Sequence, residues 1–257
     1  MKYVAVLLLS VVLVSAGPVP SWDEVEPKEQ SSGKYEGDIV LTAEQEEQLL
    51  NPLNGQLQLN YRWPGGVIPY EIIEEHFTQE QVAMIRRALR LIQVDSCLRF
   101  VPRTNQRDYI RVIGNDSGCW SYVGNLRRGV QELHLYPDAP NTGCFRMGTI
   151  IHEFLHALGF FHMQSDPHRD DYVDIRFENI IVGTENNFRR YTEDVVGGFG
   201  VDYDYGSVMH YGRTAFSKNG EDTIVPHDPE AVIGQRAGMS PKDVQKLQIM
   251  YDCPIPY

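Results

Sequence analysis

The fold of this chain is decided by the stretch His152-Glu153-Phe154-Leu155-His156-Ala157-Leu158-Gly159-Phe160-Phe161-His162. On a helix, His152 and His156 lie one turn apart and face the same way. Gly159 can adopt backbone conformations closed to other residues, so it can end the helix and bring His162 back to the same point. Three histidine ligands leave one coordination position open, which is typical of catalytic rather than structural zinc sites. We therefore predict that His152, His156 and His162 hold one Zn²⁺.

Glu153 follows the first predicted ligand and would lie beside the open coordination position. A carboxylate there can accept a proton from water that attacks a peptide carbonyl, so we predict a catalytic role for Glu153. The alternative, a core helix with incidental histidines, is disfavoured because neighbouring residues already supply an apolar core face. Those residues are Ile150, Ile151, Leu155 and Leu158.

A second element, Ser207-Val208-Met209-His210-Tyr211, lies downstream of the histidines. The extended zinc motif followed by such a Met-turn defines the metzincins. Met209 is predicted to form an apolar floor beneath the imidazoles. Tyr211 follows closely enough to reach the metal or a developing oxyanion. A lone Met is more often a core residue, so this prediction depends on the zinc motif.

Apolar patterns around these motifs predict an α+β fold. The predicted strands are Val67–Ile72, Leu98–Val101, Tyr109–Ile113 and Gln131–Tyr136, and the predicted helices begin at Thr78, Thr149 and Ser240, with short helical stretches near Leu41–Leu50 and Glu185–Arg190. We predict a two-lobed metzincin catalytic domain with a cleft between the lobes. Its N-terminal lobe would be a twisted mixed sheet with two long helices, and its C-terminal lobe would be mostly irregular with a terminal helix.

The N-terminal part of the chain divides into two predicted regions. Residues 1–16 combine a lysine, an apolar run and a small-residue end, which predicts a secretory signal peptide. Residues 17–53 are polar and acidic with little core pattern, so they need a partner surface and are predicted to be a propeptide; the alternative is a disordered linker. Residues 54–257 would then form the catalytic domain.

Charge and cysteine content narrow the class of protein further. The formal net charge of -12 disfavours a nucleic-acid partner. Apart from the run in residues 1–16, no stretch is long and apolar enough to cross a membrane, so we expect no membrane anchor. Four cysteines in an oxidising compartment suggest two disulfides with three possible pairings, and they form no CxxC pair. Asn115 begins an N-glycosylation sequon. We expect a secreted, extracellular monomer.

The chain resembles the astacin family of metzincins over nearly all of 54–253. The matching stretches are Trp63-Pro64-Gly65-Gly66-Val67-Ile68-Pro69-Tyr70, Cys97-Leu98-Arg99-Phe100-Val101-Pro102-Arg103, Gly118-Cys119-Trp120-Ser121-Tyr122-Val123-Gly124, Arg169-Asp170-Asp171-Tyr172-Val173, the Met-turn and Ile233-Gly234-Gln235-Arg236. The resemblance implies disulfides Cys97–Cys253 and Cys119–Cys144. It also implies that Tyr211 is a mobile fifth zinc ligand that swings away to stabilise the tetrahedral intermediate.

The same resemblance gives the N-terminal region a role. Tyr35-Glu36-Gly37-Asp38-Ile39 is similar to the family's propeptide switch, in which an aspartate occupies the water position on zinc, so Asp38 is the predicted switch residue. An activating protease would cleave near Leu53–Asn54. Arg236 lies in a segment that lines the S1′ side in some members, and it is predicted to favour acidic residues after the scissile bond; the alternative is a structural salt bridge.

One position departs from the family pattern. Typical members have a glutamate after the third zinc histidine, where it anchors the new N-terminus, but this chain has Met163 followed by Gln164. Met163 cannot accept a charge-assisted hydrogen bond, so this tether is in doubt, and Gln164 offers a weaker neutral bond. The local sequence is similar to arthropod members, among them seminal-fluid metalloproteases.

The function expected from the sequence is that of a secreted zinc endopeptidase, made as a zymogen, that hydrolyses internal peptide bonds of proteins. The alternative is a catalytically silent zinc-binding or gamete and extracellular interaction protein on the same fold. The presence of both Glu153 and Tyr211 favours the enzyme.

Overall fold

The computed structural model describes residues 27–30, 32–50, 61–193 and 195–254. The predicted signal peptide at 1–16 and the predicted cleavage bond Leu53–Asn54 lie outside these ranges. Among the described residues, none of the helices is both long and apolar enough to cross a membrane.

A six-stranded mixed sheet forms one half of the molecule. Its strands are β1 (Ile39–Val40), β2 (Val67–Ile72), β3 (Arg99–Pro102), β4 (Tyr109–Ile113), β5 (Cys119–Tyr122) and β6 (Val130–Leu135). They lie in the order β1-β5-β6-β4-β2-β3, in which β5 and β6 pair antiparallel and the other neighbours pair parallel. The predicted mixed sheet is confirmed. Strands β2 and β4 have the predicted bounds, whereas β3 and β6 are displaced by one residue.

Five α-helices are present among the described residues: α1 (Pro27–Gln30), α2 (Ala43–Leu50), α3 (Gln79–Val94), α4 (Met147–Ala157) and α5 (Pro241–Met250). Thr78 caps α3 with a capping box in which Thr78 Oγ1 accepts from Gln81 N at 3.2 Å and Gln81 Oε1 accepts from Thr78 N at 2.7 Å. Helices α3 and α4 contribute to one apolar core with the sheet. Helix α4, which carries His152 and His156, is buried along its whole length after its first residue, so packing on all sides holds it in place.

The second half of the molecule contains less regular structure, as predicted. It holds a two-stranded antiparallel ribbon, β7 (Val173–Ile175) with β8 (Ile224–Pro226), and several short 3₁₀ turns, one of them at Glu185–Phe188. Helix α5 follows the ribbon in the chain, and a capping box between Ser240 and Asp243 forms its N-terminus. Disulfides join Cys97 to Cys253 and Cys119 to Cys144, which confirms the pairing implied by the family resemblance.

The described residues 27–30 and 32–50, called the N-terminal segment below, pack against the rest of the molecule. Strand β1 extends the sheet by pairing parallel with β5. Ile39 and Leu49 are buried in an apolar cluster with Val123, Phe161 and Tyr191. The segment therefore uses a partner surface within its own chain, and the alternative of a disordered linker does not apply to these residues.

Candidate metal centre

Three buried imidazoles converge behind the sheet. Helix α4 presents His152 and His156, and the chain then turns at Gly159, whose φ of +111° lies in the region that favours glycine. His162 Nε2 lies 3.3 Å from His152 Nε2, and His156 Nε2 lies 3.0 Å from the same atom. Ligands about 2.0–2.1 Å from a tetrahedral zinc ion lie roughly 3.3 Å from one another. The predicted zinc ligands therefore share one point with the spacing that zinc requires.

Hydrogen bonds on the far side of each ring fix which nitrogen faces this point. His152 Nδ1 donates to the Val208 carbonyl and His156 Nδ1 donates to the Phe160 carbonyl, each at 2.8 Å. His162 Nδ1 donates to Glu36 Oε2 at 2.8 Å. A ring whose Nδ1 carries the proton directs the lone pair of Nε2 toward a metal. All three rings are thus oriented for coordination through Nε2.

Asp38 supplies a fourth ligand atom to the same point. Its Oδ2 lies 3.1 Å from His152 Nε2, and its Oδ1 lies 3.2 Å from His162 Nε2. Burial opposes the charge on Asp38, yet the imidazoles of His162 and His156 hold its pKa well below the usual range. Although Asp38 Oδ1 lies this close to His162 Nε2, it accepts no hydrogen bond from any described residue. Three imidazoles and one carboxylate are a donor set that fits Zn²⁺.

The charges around His162 also favour a cation here. Burial alone would lower the pKa of His162, but the carboxylates of Asp38 and Glu36 outweigh it and raise the pKa to about 9. By contrast, burial lowers the pKa of His152 to about 4. A proton or a metal ion can supply the positive charge that the two carboxylates require.

Glu153 is fully buried, and neither of its carboxylate oxygens has a hydrogen-bond partner among the described residues. Burial, followed by the negative charges of Asp38 and Glu29, raises its pKa well above the usual range. A buried polar group without a partner is costly in free energy, and such groups are concentrated at functional sites. The carboxyl of Glu153 is thus free to bind water or a cation at the centre.

The Met-turn lies directly against the ligands. The main-chain N–H of Met163, next to His162, donates to the Met209 carbonyl at 3.0 Å. The Met209 side chain is 1% exposed. The ring of Tyr211 lies 4.6 Å from that of His162, and its hydroxyl donates to the main-chain carbonyl of Glu36. The structure therefore places Tyr211 at the centre, with its hydroxyl bonded to the N-terminal segment.

Asp243 in helix α5 anchors this turn, a role that the sequence did not reveal. Its Oδ1 accepts from Ser207 Oγ at 2.6 Å, and its Oδ2 accepts from Val208 N at 2.9 Å. Ser207 Oγ in turn accepts from Met209 N at 3.0 Å. The peptide unit between Val208 and Met209 also carries the carbonyl that orients His152, so Asp243 supports the first predicted ligand through this turn.

Arg236 and Glu29 form a buried ion pair near the centre. Arg236 Nη2 donates to Glu29 Oε2 at 2.7 Å and Arg236 Nε donates to the same carboxylate at 3.0 Å. Thr149 Oγ1 also donates to Glu29 at 2.7 Å. The remaining guanidinium nitrogen, Nη1, donates to the carbonyls of His210 and Gln235. Nη1 of Arg236 thus binds main-chain carbonyls, while Nε and Nη2 bind a carboxylate of the N-terminal segment.

The position that departs from the family pattern is buried. Met163 is 5% exposed, and its sulfur lies 3.5 Å from the ammonium of Lys246, which is 3.9 Å from Asp166 Oδ2. Gln164 Oε1 accepts from Tyr211 N at 3.3 Å. In this structure Gln164 therefore supports the Met-turn. That Met163 cannot form the usual charged tether to a new N-terminus stays a prediction.

Three relatives show where the chain belongs. Blastula protease 10 of Paracentrotus lividus is 37% identical over 239 residues, covering 85% of this chain and 38% of that protein. Meprin A subunit beta of Homo sapiens is 42% identical over 221 residues, covering 85% of this chain and 30% of that protein. The structure of High choriolytic enzyme 1, a hatching enzyme zinc-protease from Oryzias latipes (Medaka fish), matches with a TM-score of 0.68 and 41% identity, over 75% of this chain and 94% of that chain.

Fold and site together define a metzincin zinc metallopeptidase domain. Residues 55–252 match the peptidase family described as Astacin. The chain therefore belongs to the astacin family, a family of metalloendopeptidases whose metal is zinc. It spans only about a third of the length of the curated relatives above, 38% and 30%.

Proposed function

We propose that this protein is a secreted zinc endopeptidase, synthesised as a latent precursor, that hydrolyses internal peptide bonds of proteins. The observation that carries the proposal is the convergence of His152, His156 and His162, together with the buried, unpaired carboxyl of Glu153, whose pKa is raised by burial and by the nearby charge of Asp38. Zinc, when bound there, polarises a peptide carbonyl and activates water. The family and its named relatives support a peptidase.

The residues of this chain divide the remaining work. His152, His156 and His162 would hold a zinc ion through Nε2, because the opposite nitrogens are occupied by hydrogen bonds. Glu153 accepts the proton of the attacking water and passes it to the leaving amine. The Tyr211 hydroxyl donates to the oxyanion once its bond to the Glu36 carbonyl is broken. Met209 packs beneath the rings as an apolar floor.

We assign latency to the N-terminal segment. Residues 17–53 act as a propeptide behind a signal peptide at 1–16, and Asp38 would be a further ligand of a bound zinc ion and so exclude the attacking water. Its proximity to all three imidazole Nε2 atoms, at 3.1 to 3.5 Å, supports this role. An activating protease cuts near Leu53–Asn54 and frees the cleft. Exposed Asn115 accepts a glycan in the secretory pathway.

Arg236 is proposed to select acidic side chains just after the scissile bond. Its bidentate contact with Glu29 supports this, because the same guanidinium edge would meet a substrate carboxylate once the segment leaves. A peptide-library profile of the processed enzyme tests it. Arg236→Ala should abolish the acidic preference, while the exposed control Arg87→Ala should keep it. An unchanged profile in Arg236→Ala would leave the structural salt bridge as its only role.

The proposed activity is tested by comparing the wild-type enzyme with Glu153→Gln and with an exposed control, Glu80→Gln. All three are expressed with the segment, processed, and assayed on a denatured protein with and without a zinc chelator. Wild type and Glu80→Gln should cleave it, and the chelator should abolish cleavage. Glu153→Gln should lose at least about 100-fold in rate. Equal cleavage by all three, unaffected by the chelator, would reject the mechanism.

A further inference from the structure

Glu36 of the N-terminal segment is as deeply buried as the zinc ligands, with no exposed surface. Three side chains of the rest of the domain donate to its carboxylate. His162 Nδ1 does so at 2.8 Å, Ser165 Oγ at 3.1 Å, and the third donor is the hydroxyl of Tyr191. Charge-assisted hydrogen bonds are about twice as strong as neutral ones. The three donors form a pocket built for a carboxylate.

The backbone of Glu36 makes a separate contact with the catalytic machinery. Its carbonyl accepts the hydroxyl of Tyr211. Glu36 has a φ of +47°, in the left-handed region that is uncommon for a residue with a side chain, and Gly37 follows at +88°. This turn lets one residue direct its carboxylate to His162 and its carbonyl to Tyr211. Uncommon backbone conformations of this kind persist where the surrounding contacts over-determine them.

We propose that Glu36 is a second latency residue, whose carboxylate occupies an anion pocket formed by His162, Ser165 and Tyr191 while its carbonyl immobilises Tyr211. The inference rests on the proposed zymogen function. Asp38 blocks the metal position, and Glu36 holds the segment and withholds the tyrosine needed for the oxyanion. Neither contact duplicates the other, because they involve different atoms of the site. A full chain that lacks only the Asp38 carboxylate should therefore remain partly latent, with less activity than the processed enzyme.

The first test measures peptidase activity of the full chain before processing. Glu36→Gln keeps the size of the side chain but removes its charge, and it should raise activity roughly ten- to a hundredfold over the unprocessed wild type. Asp38→Ala should remain below the processed enzyme, and the double variant should approach it. Glu47→Gln, an exposed glutamate in α2 with the same charge change, should stay latent. The proposal is overturned if Glu36→Gln is as latent as Glu47→Gln, or if Asp38→Ala alone equals the processed enzyme.

A second test does not depend on catalysis. In a Glu153→Gln background, the segment is cut from the domain by limited proteolysis and its release is followed by native mass spectrometry. Glu36→Gln, and Glu36→Asn as a variant tolerant of the left-handed backbone, should release it at least tenfold faster than Glu47→Gln. Equal release rates would overturn the anion pocket even if the processed wild type were active. An inactive processed wild type would refute the proposed function alone.

Discussion

Asp243 offers the sharpest test of how the Met-turn is held against the predicted zinc ligands. Its carboxylate is 2% exposed and accepts three hydrogen bonds. Oδ1 accepts from Ser207 Oγ at 2.6 Å, and Oδ2 accepts from Val208 N and Ser240 N, each at 2.9 Å. Two substitutions separate these bonds. Asp243→Ala removes all three, whereas the amide of Asp243→Asn can keep its oxygen on the two N–H groups and donate to Ser207 Oγ instead.

The geometry gives different magnitudes for the two variants. Asp243→Ala leaves buried donors without partners, at a cost of about 4 kcal/mol in unfolding free energy. Burial raises the pKa of Asp243 despite its hydrogen bonds, so the free-energy cost of burying its charge is partly recovered in Asp243→Asn. That variant should lose about 1–2 kcal/mol. For a domain of this size, 1 kcal/mol corresponds to about 2–4 °C in Tm.

Thermal unfolding of the zinc-loaded protein measures this difference, and competition with a chromophoric chelator measures zinc affinity. Asp243→Ala should lower Tm by about 8–16 °C. It should also weaken zinc binding by at least about tenfold, because the turn that orients His152 is loosened. The exposed control Asp202→Ala should stay within about 0.5 kcal/mol of wild type. Equal losses in Asp243→Ala and Asp243→Asn, or a loss in Asp243→Ala no larger than in the control, would refute the reasoning.

Three more predictions concern the packing of Gly148, the ion pair of Glu29 and the metal site. A Cβ at Gly148 would lie 2.1 Å from the Arg236 backbone, so Gly148→Ala should displace α4 and lower the unfolding free energy by about 3 kcal/mol or more, as measured by thermal unfolding. The control Gly198→Ala, whose Cβ would have its nearest atom at 3.5 Å, should be near neutral. A Gly148→Ala variant as stable as wild type contradicts this. Burial opposes the charge on Glu29, but Arg236 outweighs it and lowers the pKa of Glu29. The Tm advantage of wild type over Glu29→Gln should therefore be full at about pH 6 and shrink progressively as the pH falls below the ordinary range of a glutamate and through the lowered pKa. A pH-independent difference would exclude the ion pair as its source. Removal of zinc from the full chain should lower Tm by roughly 10 °C, reversibly on zinc addition, and an unchanged Tm would argue against the metal site.

The sequence predicted the parts of the structure that depend on local spacing. Two imidazoles four residues apart on a helix must share a face, and Gly159 marks the turn that returns His162. The starts of α3 and α5 were predicted because Thr78 and Ser240 are residue types that cap helices, and in the structure each side chain accepts from the main-chain N–H three residues later. Strands β2 and β4 were found at their observed bounds because each is an apolar stretch with turn residues beside it.

Strands without such a signal were missed. Strand β5 has only four residues, and its first three are buried, so its sequence shows no alternation of polar and apolar residues. The strands of the ribbon, β7 and β8, have three residues each, too few for a period to be recognised. These strands form because a neighbouring strand satisfies their backbone groups, and no spacing rule within one strand records that neighbour.

The ion pairs of the site were beyond the sequence for a similar reason. Glu29 and Arg236 are 207 positions apart, and Glu36 and His162 are 126 apart. Glu29 carries no motif at all. Glu36 stood inside the quoted stretch Tyr35–Ile39, but nothing in the pattern distinguished it from a solvated turn residue. Only the packing of the N-terminal segment on the domain shows that these carboxylates are buried.

This burial changes how the acidity of the N-terminal segment is understood. A polar, acidic stretch with little core pattern normally stays solvated, because its charges keep their hydration. Here Glu29, Glu36 and Asp38 are each at most 4% exposed, and each meets donors of the domain. Their desolvation is favourable only because the domain offers a guanidinium, hydroxyls and imidazoles at matched positions. If the segment is released, as the proposed function requires, those donors would lose their partners, and a substrate with carboxylates at corresponding positions would recover the same contacts. On that proposal, the sequence of the segment is a guide to the chemistry that the open cleft would bind.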